Sequence, residues 1–322
     1  MQTALTIGAV TAFASWALLF ALLRSGIAGR IAIDTPNQRS LHTHDVPRVG
    51  GLVVIGVAAI ALPFVASGVQ VLSATVVALM LLFAVDDRRG LPVSARLIAQ
   101  LMAAAVAAYT LLPATSWWIV LLGIVGVVWS MNLYNFMDGA DGLAGGMTVL
   151  GFSALAIMAA SVGALELGAA CVCIAGAAAG FLLHNFPPAK VFLGDAGSVP
   201  LGFLAATLAV AGWQQQVWPI WFPLLVFSPF IVDATVTLLR RSVAGKRLWT
   251  AHREHMYQRM VREWGHSRTA VVWYGLMALA GGSAIAAVKW PNRWQIGLLI
   301  GWAALYAVLY AVVTRLTAPE KE

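Results

Sequence analysis

Apolar residues run through this sequence in long blocks, and polar residues gather in short interruptions between them. Eleven blocks stand out: residues 3–23, 50–67, 69–85, 97–112, 117–134, 146–161, 165–184, 198–213, 218–239, 270–289 and 295–314. Each is close to the length that crosses about 30 Å of hydrocarbon as a helix. A backbone in lipid must satisfy its own hydrogen bonds, so the blocks are expected to be helical. The pattern predicts an all-α fold, a polytopic transmembrane bundle of about eleven spans. No linker, soluble module, low-complexity segment or internal repeat interrupts it, so residues 1–322 are expected to form a single integral-membrane domain.

Composition strengthens that picture. The chain is 61% hydrophobic and only 10% charged, against about 25% charged in soluble domains. Charge placement then sets an orientation. With the N-terminus outside and the C-terminus cytoplasmic, 18 of the 20 Lys and Arg residues fall inside; Lys289 and Arg293 fall outside. The formal charge of +7 therefore reflects topology and anionic headgroups, and nucleic acid is not an expected partner. The first block lacks a basic leader and is followed at once by Arg24, which reads as an uncleaved anchor rather than a signal peptide. Cys171 and Cys173 lie inside the seventh block and read as packing residues.

The outside loops are minimal, whereas the inside loops hold eleven of the thirteen acidic residues. Five inside segments carry candidate chemistry: "RSLHTHDVPRVGG" (39–51), "DDRRGLPVSAR" (86–96), "NLYNFMDGADGLAGG" (132–146), "NFPPAKVFLGDAGS" (185–198) and "LWTAHREHMYQRMVREWGHSR" (248–268). Asp86 and Asp87 repel each other unless something positive neutralises them, either Arg88 and Arg89 at a solvated helix end or a bound cation. Asn132, Asn135 and Asp138 recur at three-residue intervals near one helical face and offer the hard oxygen ligands that Mg²⁺ takes alongside phosphates. The same stretch also fits a capped helix end with a glycine-rich turn, Asp138 or Asp141 serving as the cap. Asp195 likewise fits a Gly-Asp turn before a helix.

In the fifth segment, His252, His255, Arg259 and Arg262 form one helical stripe, and Met256, Met260 and Trp264 another. That pattern predicts an amphipathic helix on the membrane interface. Asp233 lies within the ninth block, about 10 Å below its cytoplasmic end, and reads equally as a functional carboxylate or a structural one. Carboxylates, amides, His and Arg at one membrane face are the apparatus of phosphate chemistry, where charge stabilisation dominates. A secondary transporter would instead place its groups near the midplane between repeats. A lipid-binding scaffold would not need paired carboxylates together with Asn and His.

From about residue 39 to 268, the ordered motifs "VPRVGG", "AVDD", "NLYNFMDGADGLAGG" and "VFLGDAGS" resemble the polyprenyl-phosphate N-acetylhexosamine-1-phosphate transferase family, glycosyltransferase family 4. The resemblance implies transfer of a sugar 1-phosphate from a UDP-N-acetylhexosamine to undecaprenyl phosphate, with UMP leaving. It implies a Mg²⁺ cofactor, with Mn²⁺ as a substitute, and a bacterial inner-membrane location with the active site facing the cytoplasm. By resemblance, Asn135 and Asp195 hold the metal, Asp86 and Asp87 handle the lipid phosphate, and Arg96 binds phosphate. Asp141 and Phe192 recognise the uracil, while His255 and Arg259 contact the sugar-phosphate. Asn132, Asp138 and His252 join the substrate-binding set, and Asp86, Asp87, Asp195 and His255 the catalytic set. Membrane lipid surrounds the protein, and a homodimer is an expected assembly, because dimers occur in the family.

One departure stands out. Most bacterial members carry His-x-His-His-Arg in the last cytoplasmic loop; "REHMYQR" keeps His255 and Arg259 but has Tyr257 and Gln258 between them. That pattern is similar to the branch that starts O-antigen with 6-deoxy-N-acetylhexosamines, such as N-acetylfucosamine or N-acetylquinovosamine. On this basis lipopolysaccharide assembly is the expected pathway.

Overall fold

A computed structural model describes residues 2–36, 41, 44–113, 115–247 and 252–317. The fold is almost wholly helical. Thirteen helices follow in order among the described residues: α1 (Gln2–Arg24), α2 (Ala28–Ile31), α3 (Gly50–Val65), α4 (Gln70–Arg89), α5 (Val93–Leu111), α6 (Trp117–Phe136), α7 (Leu143–Ser161), α8 (Leu165–Asn185), α9 (Asp195–Gln214), α10 (Trp221–Val226), α11 (Ser228–Val243), α12 (Met256–Ala287) and α13 (Asn292–Leu316). Two short strands, β1 (Ile33–Asp34) and β2 (Val46–Pro47), pair antiparallel between α2 and α3.

Every predicted apolar block is helical, but not every block is one long helix. Among the described residues, nine helices are long and apolar enough to cross a membrane, and α3, at 16 residues, is a shorter apolar helix. The expected span 218–239 is divided into α10 and α11 at Phe227 (φ −92°, ψ 5°). Pro229 explains the division: it has no N–H to give to the carbonyl four residues back, and its ring crowds that carbonyl. Ser228 Oγ donates instead to Leu225 O at 2.7 Å.

The fifth polar segment also departs from expectation. The helix begins at Met256, so His252 and His255 precede it rather than sharing a stripe with Arg259. Residues 248–251 of the segment lie outside the described residues. The helix then runs on into the tenth apolar block, broken at Gly265 (φ 77°, ψ 168°). Met256, Tyr257, Met260 and Val261 are buried against the bundle, which corrects the expectation of a helix lying on the membrane surface.

The bundle centres on α7, α8 and α9, which are buried along most of their length, whereas α1 and α13 present most of their apolar surface outward. Loops join at the two ends of the bundle. At one end Ser67 N–H and Oγ–H donate to Glu166 Oε2 at 2.8 and 2.6 Å. At the other, Gly50 and Gly51 N–H, at the start of α3, donate to Phe192 O and Leu193 O at 2.9 and 2.8 Å. This second end gathers the polar interruptions.

Candidate active site

The first turn of α9 is the fixed point of that polar end. Its backbone N–H groups have no partners within the helix, and Asp87, from the last turn of α4, supplies them: Oδ1 accepts from Asp195 N–H at 3.2 Å and Oδ2 from Ala196 N–H at 3.0 Å. Asp195 itself opens the helix. Its Oδ1 accepts from Asn135 Nδ2 at 2.8 Å, and the same amide nitrogen donates to Ser198 Oγ at 3.1 Å. One turn earlier on α6, Asn132 Nδ2 donates to Gln100 Oε1 and Val128 O, both at 2.8 Å.

Around these groups lies a cavity of about 920 Å³. Of the residues singled out from the sequence, Arg96, Asn132, Asn135, Asp138, Asp141, Phe192, Asp195, His252 and His255 line it. Asp86, Asp87 and Arg259 do not, and each has another task. The Asp86 and Asp87 side chains are only 6% and 2% exposed, so they stand behind the wall rather than on it. Asp86 accepts from Leu91 N–H and has its second oxygen 3.5 Å from Arg96 Nη1. Arg259 turns toward the end of α13, where its guanidinium donates to Thr314 Oγ1, Thr314 O and Thr317 O at 3.3–3.5 Å. Lone carbonyls at a helix C-terminus attract a cation, and Arg259 answers them.

Three carboxylates, Asp87, Asp138 and Asp195, therefore crowd one corner with Arg48 as the cation nearest them. Arg48 reaches Asp34 at 2.8 Å and Asp87 at 3.5 Å. Burial, and then the charge of Asp195, push the Asp138 carboxyl well above the usual carboxylate range, with Arg48 acting the other way. Crowding of this kind is relieved by a proton or by a bound cation. Among the described residues, no three His, Cys, Asp or Glu side chains converge enough to hold a metal unaided. That suits Mg²⁺, which commonly takes one or two protein carboxylates and completes its shell with water and substrate phosphate. The donor set, all oxygen and amide, fits the same ion.

The 137–142 loop, which carries Asp138, builds a further part of the lining. Tyr257 Oη donates to Phe136 O at 2.9 Å, and Tyr274 Oη to Gly142 O at 2.7 Å. Asp141 Oδ2 accepts from Ala189 N–H at 3.0 Å, and its Oδ1 lies 3.3 Å from His266 Nδ1. His255 caps α12, and its ring stacks on Phe136 with centroids 6.1 Å apart. Burial, followed by neighbouring His255, lowers the His252 pKa to about 4, so this ring is neutral near pH 7.

Sequence reasoning assigned no role to Arg48, Gln100, Tyr274 or His266. Arg48 and His266 sat inside quoted segments, which was their signal. Gln100 and Tyr274 carried none, because each acts across a fold that brings distant segments together.

The glycosyl transferase family 4 model matches residues 69–213. A probable undecaprenyl-phosphate N-acetylglucosaminyl 1-phosphate transferase of Bacillus subtilis is 29% identical, covering 94% of this chain and 92% of that protein. A decaprenyl-phosphate N-acetylglucosaminephosphotransferase of Mycolicibacterium smegmatis is 30% identical, covering 96% of this chain and 87% of its own length. A phospho-N-acetylmuramoyl-pentapeptide-transferase of Moorella thermoacetica is 34% identical, over 51% of this chain and 52% of that one.

Proposed function

The chain belongs to glycosyl transferase family 4, and from that premise we propose that it moves an N-acetylhexosamine 1-phosphate from a UDP-sugar to undecaprenyl phosphate, releasing UMP. The observation that carries the reading is the corner where Asp138, Asp195 and Arg48 line a cavity large enough for a nucleotide-sugar, with Asp87 behind them. Similarity along nearly the whole chain to transferases named for polyprenyl phosphates supports it.

The chemistry follows from the groups present. A lipid phosphate is largely ionised near neutrality, so an oxygen of it can attack the β-phosphorus of the donor without a strong base. The bond from that phosphorus to the bridging oxygen breaks, and UMP leaves with the oxygen. Positioning and charge neutralisation are what the protein must add. Asp195 and Asn135 would hold Mg²⁺, or Mn²⁺ in its place, which supplies charge neutralisation on the diphosphate. Asn135 presents its amide N–H to Asp195, so ligation through oxygen requires the amide to turn over. Arg96 and Arg48 face the cavity as phosphate partners, and Asp141 and Phe192 as uracil partners.

Direct transfer is favoured over a covalent aspartyl-phosphate on Asp86 or Asp87. Both oxygens of Asp87 accept helix N–H groups, and Asp86 is engaged by Leu91 and Arg96. Two readings of the sugar each have an observation behind them. The two relatives similar over nearly the whole chain are N-acetylglucosamine transferases by name. Tyr257 and Gln258, which line the cavity, favour a 6-deoxy sugar and O-antigen initiation.

The test is release of UMP by the purified protein with undecaprenyl phosphate, Mg²⁺ and a panel of UDP-GlcNAc, UDP-FucNAc and UDP-QuiNAc. Formation of a lipid-linked sugar diphosphate from at least one donor is expected, and the preferred donor chooses between the sugars. No UMP from any of them would overturn the function. A phosphoenzyme trapped without lipid would overturn the direct route.

A further inference from the structure

His266 sits where α12 resumes after its break at Gly265, and it faces the same cavity. Three segments meet at its ring. Asp141 N–H donates to Nδ1 at 3.1 Å, and Nε2 lies 3.2 Å from Leu41 O. A carbonyl can only accept, so Nε2 carries a proton; Nδ1, between Asp141 N–H at 3.1 Å and Asp141 Oδ1 at 3.3 Å, accepts from the N–H in the neutral ring and donates to the carboxylate in the charged one. The Asp141 carboxylate lies alongside, one oxygen 3.3 Å from the ring and the other held by Ala189 N–H.

We propose that His266 is a positioning residue for the donor nucleotide: it fixes Asp141 on the 137–142 loop and holds Leu41 at the same wall, so that the Asp141 carboxylate is aimed at the base. The proposal rests on the reading of the cavity as a UDP-sugar site. The physical reason is rotational freedom. An aspartate on a short loop loses side-chain entropy when a ligand fixes it, and a partner that fixes it beforehand removes that cost from binding. Ala189 restrains one carboxylate oxygen. His266 restrains the backbone of the same residue and flanks the other oxygen, so the direction of the acceptor is set from two sides. Leu41, which also lines the cavity, is held over it by the same ring. The break at Gly265 makes this possible. With φ at 77° the backbone takes a left-handed turn that other residues rarely adopt, and the next side chain leaves the path a continuous helix would give it.

A residue of this kind acts on binding of the uridine half and not on phosphoryl transfer. In the full-length protein, His266→Ala is expected to weaken UMP binding, read by calorimetry, about tenfold. The donor KM should rise by a similar factor, while kcat stays within about threefold and the KM for undecaprenyl phosphate is unchanged. His266→Gln keeps one acceptor and one donor on a shorter arm and should recover most of the affinity, which also guards against a variant that merely folds poorly. In an Asp141→Asn background, His266→Ala should add almost nothing, because the two residues act as one unit. Unchanged UMP affinity in His266→Ala, a loss confined to kcat, or fully additive losses would overturn the proposal while leaving the transferase reading intact. A wild-type protein that binds no UMP would overturn the donor-site reading and this assignment with it.

Discussion

Asp233 is fully buried, yet both of its oxygens are engaged. Oδ1 accepts from Met256 N–H at 2.8 Å and from Thr237 Oγ1 at 3.1 Å, and Oδ2 from Tyr257 N–H at 3.0 Å. From α11 it supplies the acceptors for the first two N–H groups of α12, beside the N-cap residue His255. Asp233→Asn keeps the shape but turns one acceptor into a donor facing a backbone N–H. The expected cost is about 1–3 kcal/mol of stability, read as a lower melting temperature in detergent; a wild-type melt would remove Asp233 from this role. A second prediction concerns His252, whose pKa is lowered to about 4 by burial and by His255. The unfolded ring takes up a proton near pH 6.5, so from there down to about pH 4 the unfolded state binds more protons than the folded one. Stability is therefore complete above pH 6.5 and falls as pH drops through that window. His252→Gln should flatten this slope in melts taken from pH 4 to 7, and an unchanged slope would count against it. The sequence left Asp233 between a functional and a structural reading because two of its three partners are backbone groups more than twenty positions away. Arg259 was read as a sugar-phosphate contact for a similar reason. Its type fits phosphate, and only the fold shows that the end of α13 holds it.

At the scale of elements, hydropathy located each of the nine membrane-length helices among the described residues, because in lipid an apolar run has few alternatives to helix. It could not locate the breaks. Pro229 was a visible signal for the division between α10 and α11, but proline is tolerated in membrane helices often enough that one residue does not decide. Pro63 and Pro200 lie inside α3 and α9 without ending them. The arrangement of helix ends was equally hidden, and the site depends on it. Gly51, near the start of α3, lies against the first turn of α9: a Cβ there would come within 2.3 Å of Gly197 N and 2.4 Å of Gly197 Cα. Backbone atoms cannot swing aside as a flexible side chain would, so Gly51→Ala must push the two helix ends apart. Asp195 stands two residues from that contact. Misplacement by about 1 Å can cost on the order of 100-fold in rate. We expect Gly51→Ala to lower kcat at least tenfold while the protein still inserts in the membrane. Gly56→Ala, on the same helix but with nothing within 4 Å of its added Cβ, should retain activity. Equal activity in the two variants would show that the α3–α9 contact does not position the site.

For the whole molecule, the polar groups read from separate loops do meet at one end of the bundle, and which side of the membrane that end faces rests on charge. The 18-to-2 distribution of Lys and Arg argues that it is the cytoplasmic side, where UDP-sugars are made available and anionic headgroups attract the basic loops. The chain offers a convenient way to test this. Its two cysteines, Cys171 and Cys173, are fully buried in α8 and should give little background with a polar thiol reagent. Gln215 is exposed just past the end of α9, at the end of the bundle remote from Asp195, while Ser242 is exposed near the end of α11. Neither lines the cavity. In intact cells, a membrane-impermeant maleimide is expected to label Gln215→Cys and to spare Ser242→Cys until the membrane is opened. Labelling of Ser242→Cys from outside would invert the topology. Undecaprenyl phosphate and the nucleotide-sugar would then have to meet on the face away from the nucleotide pool, and the proposed reaction would lose its donor.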